Sequence, residues 1–223
     1  IGRFDGYRFS AESEVRSAYS TKLPYAAQTY SGIAGRVISM AWLRMENSRR
    51  HYRGVMSLPA ELSLIRQKDR IKLAFCPVRE LEGTKRDETA YNPENKQIVG
   101  NHGPYECLEV NIPINGSPIW AEAVWEKNSD GMIMLVIGKT VLTINFEQAR
   151  MTVRHWNLQE DVIAFEREAM TSLALLIDQE VIEFYGAEGT IYGAIETEEN
   201  ILSGKMTIQS QAKIHSVRTW RLS

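Results

Sequence analysis

Along most of the chain, apolar residues come in short runs or alternate with polar ones, and turn-forming residues break the pattern at close intervals. Residues 37–43 (Val-Ile-Ser-Met-Ala-Trp-Leu) form one such run, bounded by Gly35-Arg36 and by a polar stretch from Glu46 to His51. Residues 133–137 and 141–146 flank Gly138-Lys139. A glycine at the first of two central positions predicts a type II′ hairpin, because that position takes a positive φ. Leu173, Leu175 and Ile177 alternate with Ala174 and Leu176, and residues 181–185 follow. Gly186-Ala187-Glu188-Gly189 reads as a turn, residues 190–195 as the returning strand, and residues 206–209 and 214–222 as two more strands. Short strands at this spacing predict an all-β sandwich, barrel or propeller blade. Residues 160–170 run against the pattern: they are rich in helix formers, with Val162, Phe165 and Ala169 at helical spacing. Their neighbours on both sides read as strands, and sheet context overrides propensity, so the segment is expected to be strand or irregular.

Polarity divides the chain. Residues 79–103 carry Glu80, Glu82, Lys85, Arg86, Asp87, Glu88 and several Asn with few large apolar side chains, which reads as a surface linker that opens on a short helix over 79–85. A part of roughly 80 residues precedes it, small for an independent domain and therefore expected to dock on something else. Composition excludes several function classes. At 43% hydrophobic residues the chain can bury a core, and a net charge of −2 argues against a nucleic-acid partner. No apolar run has the length of a membrane span. Two cysteines supply neither a disulfide scaffold nor a Cys-only zinc site. The chain starts at Ile1 with no Met and no signal-like segment, which reads as a start downstream of the gene's own and leaves cytoplasmic and secreted locations both open.

Candidate chemistry is sparse. Asp69, Asp87, Asp130 and Asp161 sit in polar stretches and read as solvated charges. Asp5, in Phe4-Asp5-Gly6-Tyr7, reads as a tight turn, and Asp178 as a strand end. Glu106-Cys107 puts a carboxylate beside a thiol, but strand neighbours face opposite ways, so an exposed Glu and a buried Cys are expected. Cys76, before Pro77, is expected in the core. His51, His102, His155 and His215 are far apart, with no partner at metal-ligand spacing, and no nucleophile elbow or phosphate loop occurs. Catalytic residues, metal ligands and a cofactor are therefore all expected to be absent. Arg49, Arg50 and Arg53 form a small basic cluster, read as a solvated loop. Trp42, Trp120, Trp125, Trp156 and Trp220 can stack on sugar rings or fill cores.

A series of blocks resembles glycoside hydrolase family 32, the invertase, levanase and β-fructosidase enzymes. Phe4-Asp5-Gly6-Tyr7-Arg8-Phe9 is similar to the family's Phe-Asp-Gly-x-x-Phe turn, and Tyr25-Ala26-Ala27-Gln28-Thr29-Tyr30 to its Tyr-Ala-Ala-Gln-Thr-Phe strand. Residues 35–42 resemble its Gly-Arg-x-Ile-x-x-Gly-Trp strand, with Ala41 for Gly. Residues 53–62 resemble Arg-Gly-x-Met-Ser-Leu-Pro-Arg-Glu-Leu, with Ala60 for Arg, and Pro77-Val78-Arg79-Glu80-Leu81 matches a Pro-Val-x-Glu-Leu element. Residues 172–184 resemble the Ser-Leu-x-x-x-x-Asp-x-Ser-x-x-Glu-Val-Phe region, with Gln179-Glu180 in place of Arg-Ser. The blocks keep the family's order.

The family's fold is a five-bladed β-propeller followed by a β-sandwich. The resemblance implies a last blade over about residues 1–78, a linker over 79–103, and a jelly-roll-like sandwich of two antiparallel sheets over 104–223. The family's two catalytic motifs, Asn-Asp-Pro and Arg-Asp-Pro, have no counterpart, since none of the seven prolines follows Asp. Glu106-Cys107 comes after the Met-Ser-Leu-Pro block, whereas the family's acid/base Glu-Cys precedes it, so the dipeptide is not matched. The implied site residues are Trp42, as a sugar-facing aromatic or an intra-blade packing residue, and after it Tyr25 and Gln28. The implied reading is a β-fructosidase portion, inert alone, whose partners are the missing propeller blades and, through the parent enzyme, a fructose-containing saccharide. A non-catalytic carbohydrate-binding sandwich and a structural part mediating a homodimer are the other two readings.

Overall fold

The structure, a computed structural model, describes residues 1–45, 53–91, 97–98, 108–198 and 200–223. Its N-terminal strands are β1 (Gly2–Phe4), β2 (Phe9–Ala11), β3 (Pro24–Thr29), β4 (Ile38–Leu43), β5 (Val55–Met56), β6 (Ala60–Gln67) and β7 (Arg70–Pro77). β1 and β2 form a separate ribbon, and β3 to β7 form one small sheet in the order β3-β4-β6-β7, with β5 on β4. The remaining strands are β8 (Lys85–Tyr91), β9 (Gln97–Ile98), β10 (Leu108–Pro113), β11 (Ile119–Trp125), β12 (Met132–Ile137), β13 (Thr140–Asn145), β14 (Arg150–Arg154), β15 (Glu160–Ala164), β16 (Ser172–Asp178), β17 (Val181–Gly186), β18 (Ile191–Glu196), β19 (Lys205–Ser210) and β20 (Ile214–Leu222). They make a seven-stranded sheet, β15-β14-β13-β12-β19-β10-β9, and a six-stranded sheet, β18-β17-β16-β11-β20-β8. All the pairings are antiparallel. The chain changes sheet between β10, β11 and β12, and again between β18, β19 and β20, which interleaves the two sheets into a sandwich.

The molecule has three layers, and the six-stranded sheet is the middle one. Side chains alternate across a strand, so each face of β17 and β18 meets a different neighbour. Ile182, Phe184, Ile191 and Ile195 enter the sandwich core with Ile133, Leu142 and Ile208 of the far sheet. Tyr185 and Tyr192 turn the other way and pack with Ala60 and Phe75 of the small sheet, while Val181 and Ala194 pack with Leu43. Burial on both faces explains why residues 173–195 read as nearly continuous apolar runs: all six residues of β17 are buried. The inner face of the small sheet thus docks on the sandwich. β18 is the sheet's edge, and the N-terminal segment satisfies it: Ser20 N–H donates to Tyr192 O at 2.8 Å, and Thr21 Oγ1 bonds both the Ala194 N–H and O at 2.9 and 2.7 Å. At the other end Gln67 Nε2 donates to Ala187 O at 3.0 Å, and Gly189 comes so close that a Cβ there would lie 2.7 Å from Phe75 O.

Most local expectations are met. Gly138 has a φ of 57° while Lys139 keeps a negative one, as a II′ turn requires. Residues 160–170 form β15 and a single 3₁₀ turn, Arg167–Ala169, so sheet pairing with β14 prevails over helix propensity. Two expectations fail. The segment read as a linker begins with a 3₁₀ turn over Arg79–Thr84 but continues as β8, which pairs with β20 and is polar because it is an outer strand with exposed side chains. Cys76 is exposed, not buried: on β7 its neighbour Phe75 takes the inward position, and alternation turns Cys76 to the opposite face beside Glu61.

Candidate functional site

The sequence singles out Tyr25, Gln28 and Trp42, and the fold brings all three to the outer face of the small sheet, away from the sandwich. Tyr25 lies opposite Trp42, and Gln28 opposite Met40. Tyr25 and Gln28 are three residues apart, an odd spacing that would put them on opposite faces of a regular strand. A bulge between them, with Ala26 at a φ of 45°, inserts the extra residue that returns Gln28 to the face of Tyr25. Ser39, Ala41 and Leu43 alternate with Met40 and Trp42 and are buried, so the inward half of β4 is spent on packing.

Trp42 is half-buried and held in place. Its Nε1–H donates to Arg53 O at 3.1 Å, and Met56 of β5 pairs opposite it. Gly54, at a φ of 102°, makes this approach feasible: a Cβ there would lie 2.3 Å from Trp42 Nε1 and from Leu43 O. The Tyr25 ring stands edge-on to Trp42, with centroids 6.4 Å apart at 65°, and the Arg44 guanidinium lies 5.9 Å from the Tyr25 centroid. Tyr25 is 56% exposed, and the Gln28 amide is open to solvent. The face therefore offers aromatic surface to an apolar ring face and an amide to a hydroxyl.

Acid/base chemistry is poorly supplied around it. Arg36 donates to Glu61 Oε2 at 2.8 Å and grips both oxygens of Glu80 at 2.7 and 3.0 Å. That fork, helped by backbone N–H donation, holds the Glu80 carboxyl down at about 2, so it is an ion-pair partner and not a proton donor. Asp5 serves its turn: its carboxylate accepts the Tyr7 and Arg8 amides at 2.8 and 2.7 Å, which lowers its pKa. Asp87 pairs with Arg221 and Asp130 with Arg167 on the surface, whereas Asp161 is less exposed than its sequence suggests, bonded to His155 at 2.9 Å. Among the described residues no group of His, Cys, Asp or Glu is placed to hold a metal ion. His51, His102, Arg49, Arg50 and the Glu106-Cys107 pair lie outside the described residues. Of the tryptophans, Trp120 and Trp125 are buried, while Trp156 and Trp220 are half-buried like Trp42.

One chemically unusual residue lies outside the candidates that the sequence offers. Glu183, on the inner face of β17, is 2% exposed. Its Oε1 accepts the Leu58 N–H at 2.8 Å, and its Oε2 accepts the hydroxyls of Tyr192 at 2.8 Å and Tyr185 at 3.2 Å. Burial, assisted by the nearby Asp178 charge, pushes its pKa up to about 7 despite those three donors. The signal was present in the sequence: one Glu inside Val-Ile-Glu-Phe-Tyr, where both faces of the strand are otherwise apolar, is a carboxylate committed to the interior.

No protein-family model and no curated protein matches the chain. Solved structures match it along its length. An exo-inulinase from Aspergillus awamori superposes with a TM-score of 0.78 at 11% identity, over 100% of this chain and 49% of the other. The Bombyx mori GH32 beta-fructofuranosidase superposes at 0.71 and 18%, over 100% and 46%. A fructofuranosidase from Schwanniomyces occidentalis, solved with fructose, superposes at 0.73 and 16%, over 99% and 52%. The chain spans about half the length of these enzymes and has the fold of that half, β-sandwich included. The family resemblance of the blocks and the fold agree.

Proposed function

We infer that the chain is the C-terminal portion of a glycoside hydrolase of family 32, with residues 1–78 as the last blade of its propeller, residues 79–103 as the linker, whose strand β8 joins the sandwich, and residues 104–223 as the sandwich. The observation that carries this reading is the outer face of the small sheet. Its inner face is docked and buried, yet Tyr25, Met56 and the edge of Trp42 remain open on the other, as expected of a blade whose neighbours are absent. On this reading the sandwich braces the blade, and the blade completes a propeller that carries the catalytic carboxylates elsewhere. Trp42, Tyr25 and Gln28 then line the rim of a pocket for a fructose-containing saccharide such as sucrose or a fructan. The whole enzyme hydrolyses β-fructosidic bonds, and this chain alone is inert. Incubating the pure 223-residue chain with sucrose, inulin and levan is expected to release no fructose. Turnover that copurifies with the chain and disappears in a Trp42→Ala variant would overturn the reading.

A homodimer is the second reading, and a specific feature favours it. β7 is an edge strand of the small sheet with Ile71 exposed, so the part of it clear of the Gly189 turn can extend the sheet into another copy. Light scattering that finds a clean monomer at high concentration would remove it.

A further inference from the structure

We propose that Glu183 is a proton-controlled clasp between the sandwich and the strand that supports Trp42, closed when its carboxyl carries a proton and loosened when it does not. The inference goes beyond the saccharide reading and does not depend on it.

The geometry sets out the clasp. Leu58 is two residues past Met56, which pairs with Trp42, and one past Ser57. Ser57 is tied to β4 on one side, its N–H donating to Ala41 O at 2.8 Å and its Oγ accepting the Ala41 N–H at 2.9 Å. Leu58 N–H is tied to the sandwich on the other side through Glu183 Oε1. The backbone from 56 to 58 is therefore pinned between Trp42's strand and a single carboxyl group. The gap beside Leu58, lined by Tyr19, Ser57, Phe75 and Tyr192, is too tight to hold a water, and Glu183 itself is 2% exposed. A carboxylate here cannot be solvated without parting the layers.

The titratable groups facing Glu183 decide the sign. From its own strand comes Tyr185, from β18 Tyr192, from β16 the charge of Asp178, and from the N-terminal segment Tyr19, which stands edge-on to Tyr192 at 5.7 Å. Burial raises the pKa of all three tyrosines, so they stay neutral. Lys85, whose ammonium lies 5.4 Å from the Trp120 ring centroid, is engaged by Glu82 and Glu122, and no cation bonds Glu183 among the described residues. Nothing offsets a negative charge at Glu183 except neutral donors. In the closed seam its carboxyl is pushed up to about 7, while in an opened seam water returns it towards the ordinary 4.5. Below the ordinary value both forms are protonated and the clasp is at its tightest. Between the two values opening is rewarded by ionisation, so the clasp weakens as pH rises and stays weak above.

Hydrogen exchange of the Leu58 amide across pH 4.5–8, corrected for the intrinsic pH dependence, tests this on the whole chain. Protection is expected to fall by tenfold or more, and to stay below that of central-strand amides in β13, as a local opening requires. Glu183→Gln, which keeps an acceptor for Leu58 N–H but cannot ionise, should flatten the profile. Tyr192→Phe, which removes a donor to the ionised form, should move the fall to higher pH. A flat wild-type profile, an equal fall in Glu183→Gln, or Leu58 exchanging only as fast as the β13 amides would each overturn the clasp.

Discussion

The sandwich and the small sheet are built from the same strands and turns, but only one of them is finished. In the sandwich, two sheets bury each other, and the core holds Trp125, Phe146, Ile133, Leu142 and Phe184 at 1% exposure or less. The small sheet buries one face on the sandwich and leaves the other to solvent. Among the described residues, every exposed large apolar side chain except Met132, Leu158 and Val162 lies within residues 1–71. They include Phe4, Tyr7 and Phe9 on the β1–β2 ribbon, a two-stranded unit that has little to hold it by itself. The difference is one of cover: the sandwich supplies its own, while the small sheet leaves the apolar side chains of its outer face open among the described residues.

The contrast is tested most strongly from the sandwich side. Trp125 is 1% exposed, stands edge-on to Phe146 at 6.0 Å and donates its Nε1–H to Met170 O at 2.6 Å. Trp125→Ala opens a cavity and orphans that carbonyl, so it should cost about 3–5 kcal/mol and lower the urea midpoint of the whole chain. If the loss is under about 1 kcal/mol, a range expected of surface sites, the sandwich does not have a closed core.

The seam between the two regions gives the next effect, through pH. Glu183 is raised from 4.5 to about 7 in the folded chain, so folding takes up a proton between those values. The stability this supplies is complete below about 4.5 and is lost as pH rises through about 7, a swing of at most about 3 kcal/mol. Urea melts at a series of pH values should show Glu183→Gln gaining on the wild type as pH rises from 5 to 8, with no gain at pH 4.5. A constant difference between the two proteins would mean that the buried carboxyl does not titrate in this range.

How much of this was legible follows from the range of each signal. The strands and the Gly138-Lys139 turn were readable because side-chain alternation and positive φ are local properties. β8 was not, because an outer strand with exposed side chains carries no apolar stripe to distinguish it from a linker. The exposure of Cys76 is illegible for a related reason: alternation on β7 needs a known inward face, and only the docking of Phe75 on Tyr192 at 5.0 Å supplies it. At the candidate site the sequence named Tyr25, Gln28 and Trp42 by resemblance, but a shared face for Tyr25 and Gln28 depends on a bulge that spacing alone argues against. Glu183 was visible as a lone charge in an apolar strand, but the three donors that hold it arrive from Leu58, Tyr185 and Tyr192, and the first is 125 residues away.

The smallest effect decides whether the outer face is open by design. Tyr25 is 56% exposed and touches Trp42 at its edge, with no hydrogen bond from its hydroxyl among the described residues. Tyr25→Ala should therefore change stability by no more than about 0.5 kcal/mol, far less than the same substitution would cost at a buried aromatic such as Tyr192. Measured beside Met56→Ala, which removes the exposed partner opposite Trp42, it reports whether the face already packs as a core. Two near-neutral results would mark an aromatic surface maintained at no benefit to this chain's own stability, as the proposed blade face requires. A loss above about 1 kcal/mol in either variant would put the face in the stability of the small sheet itself, and the contrast with the sandwich would narrow to the β1–β2 ribbon.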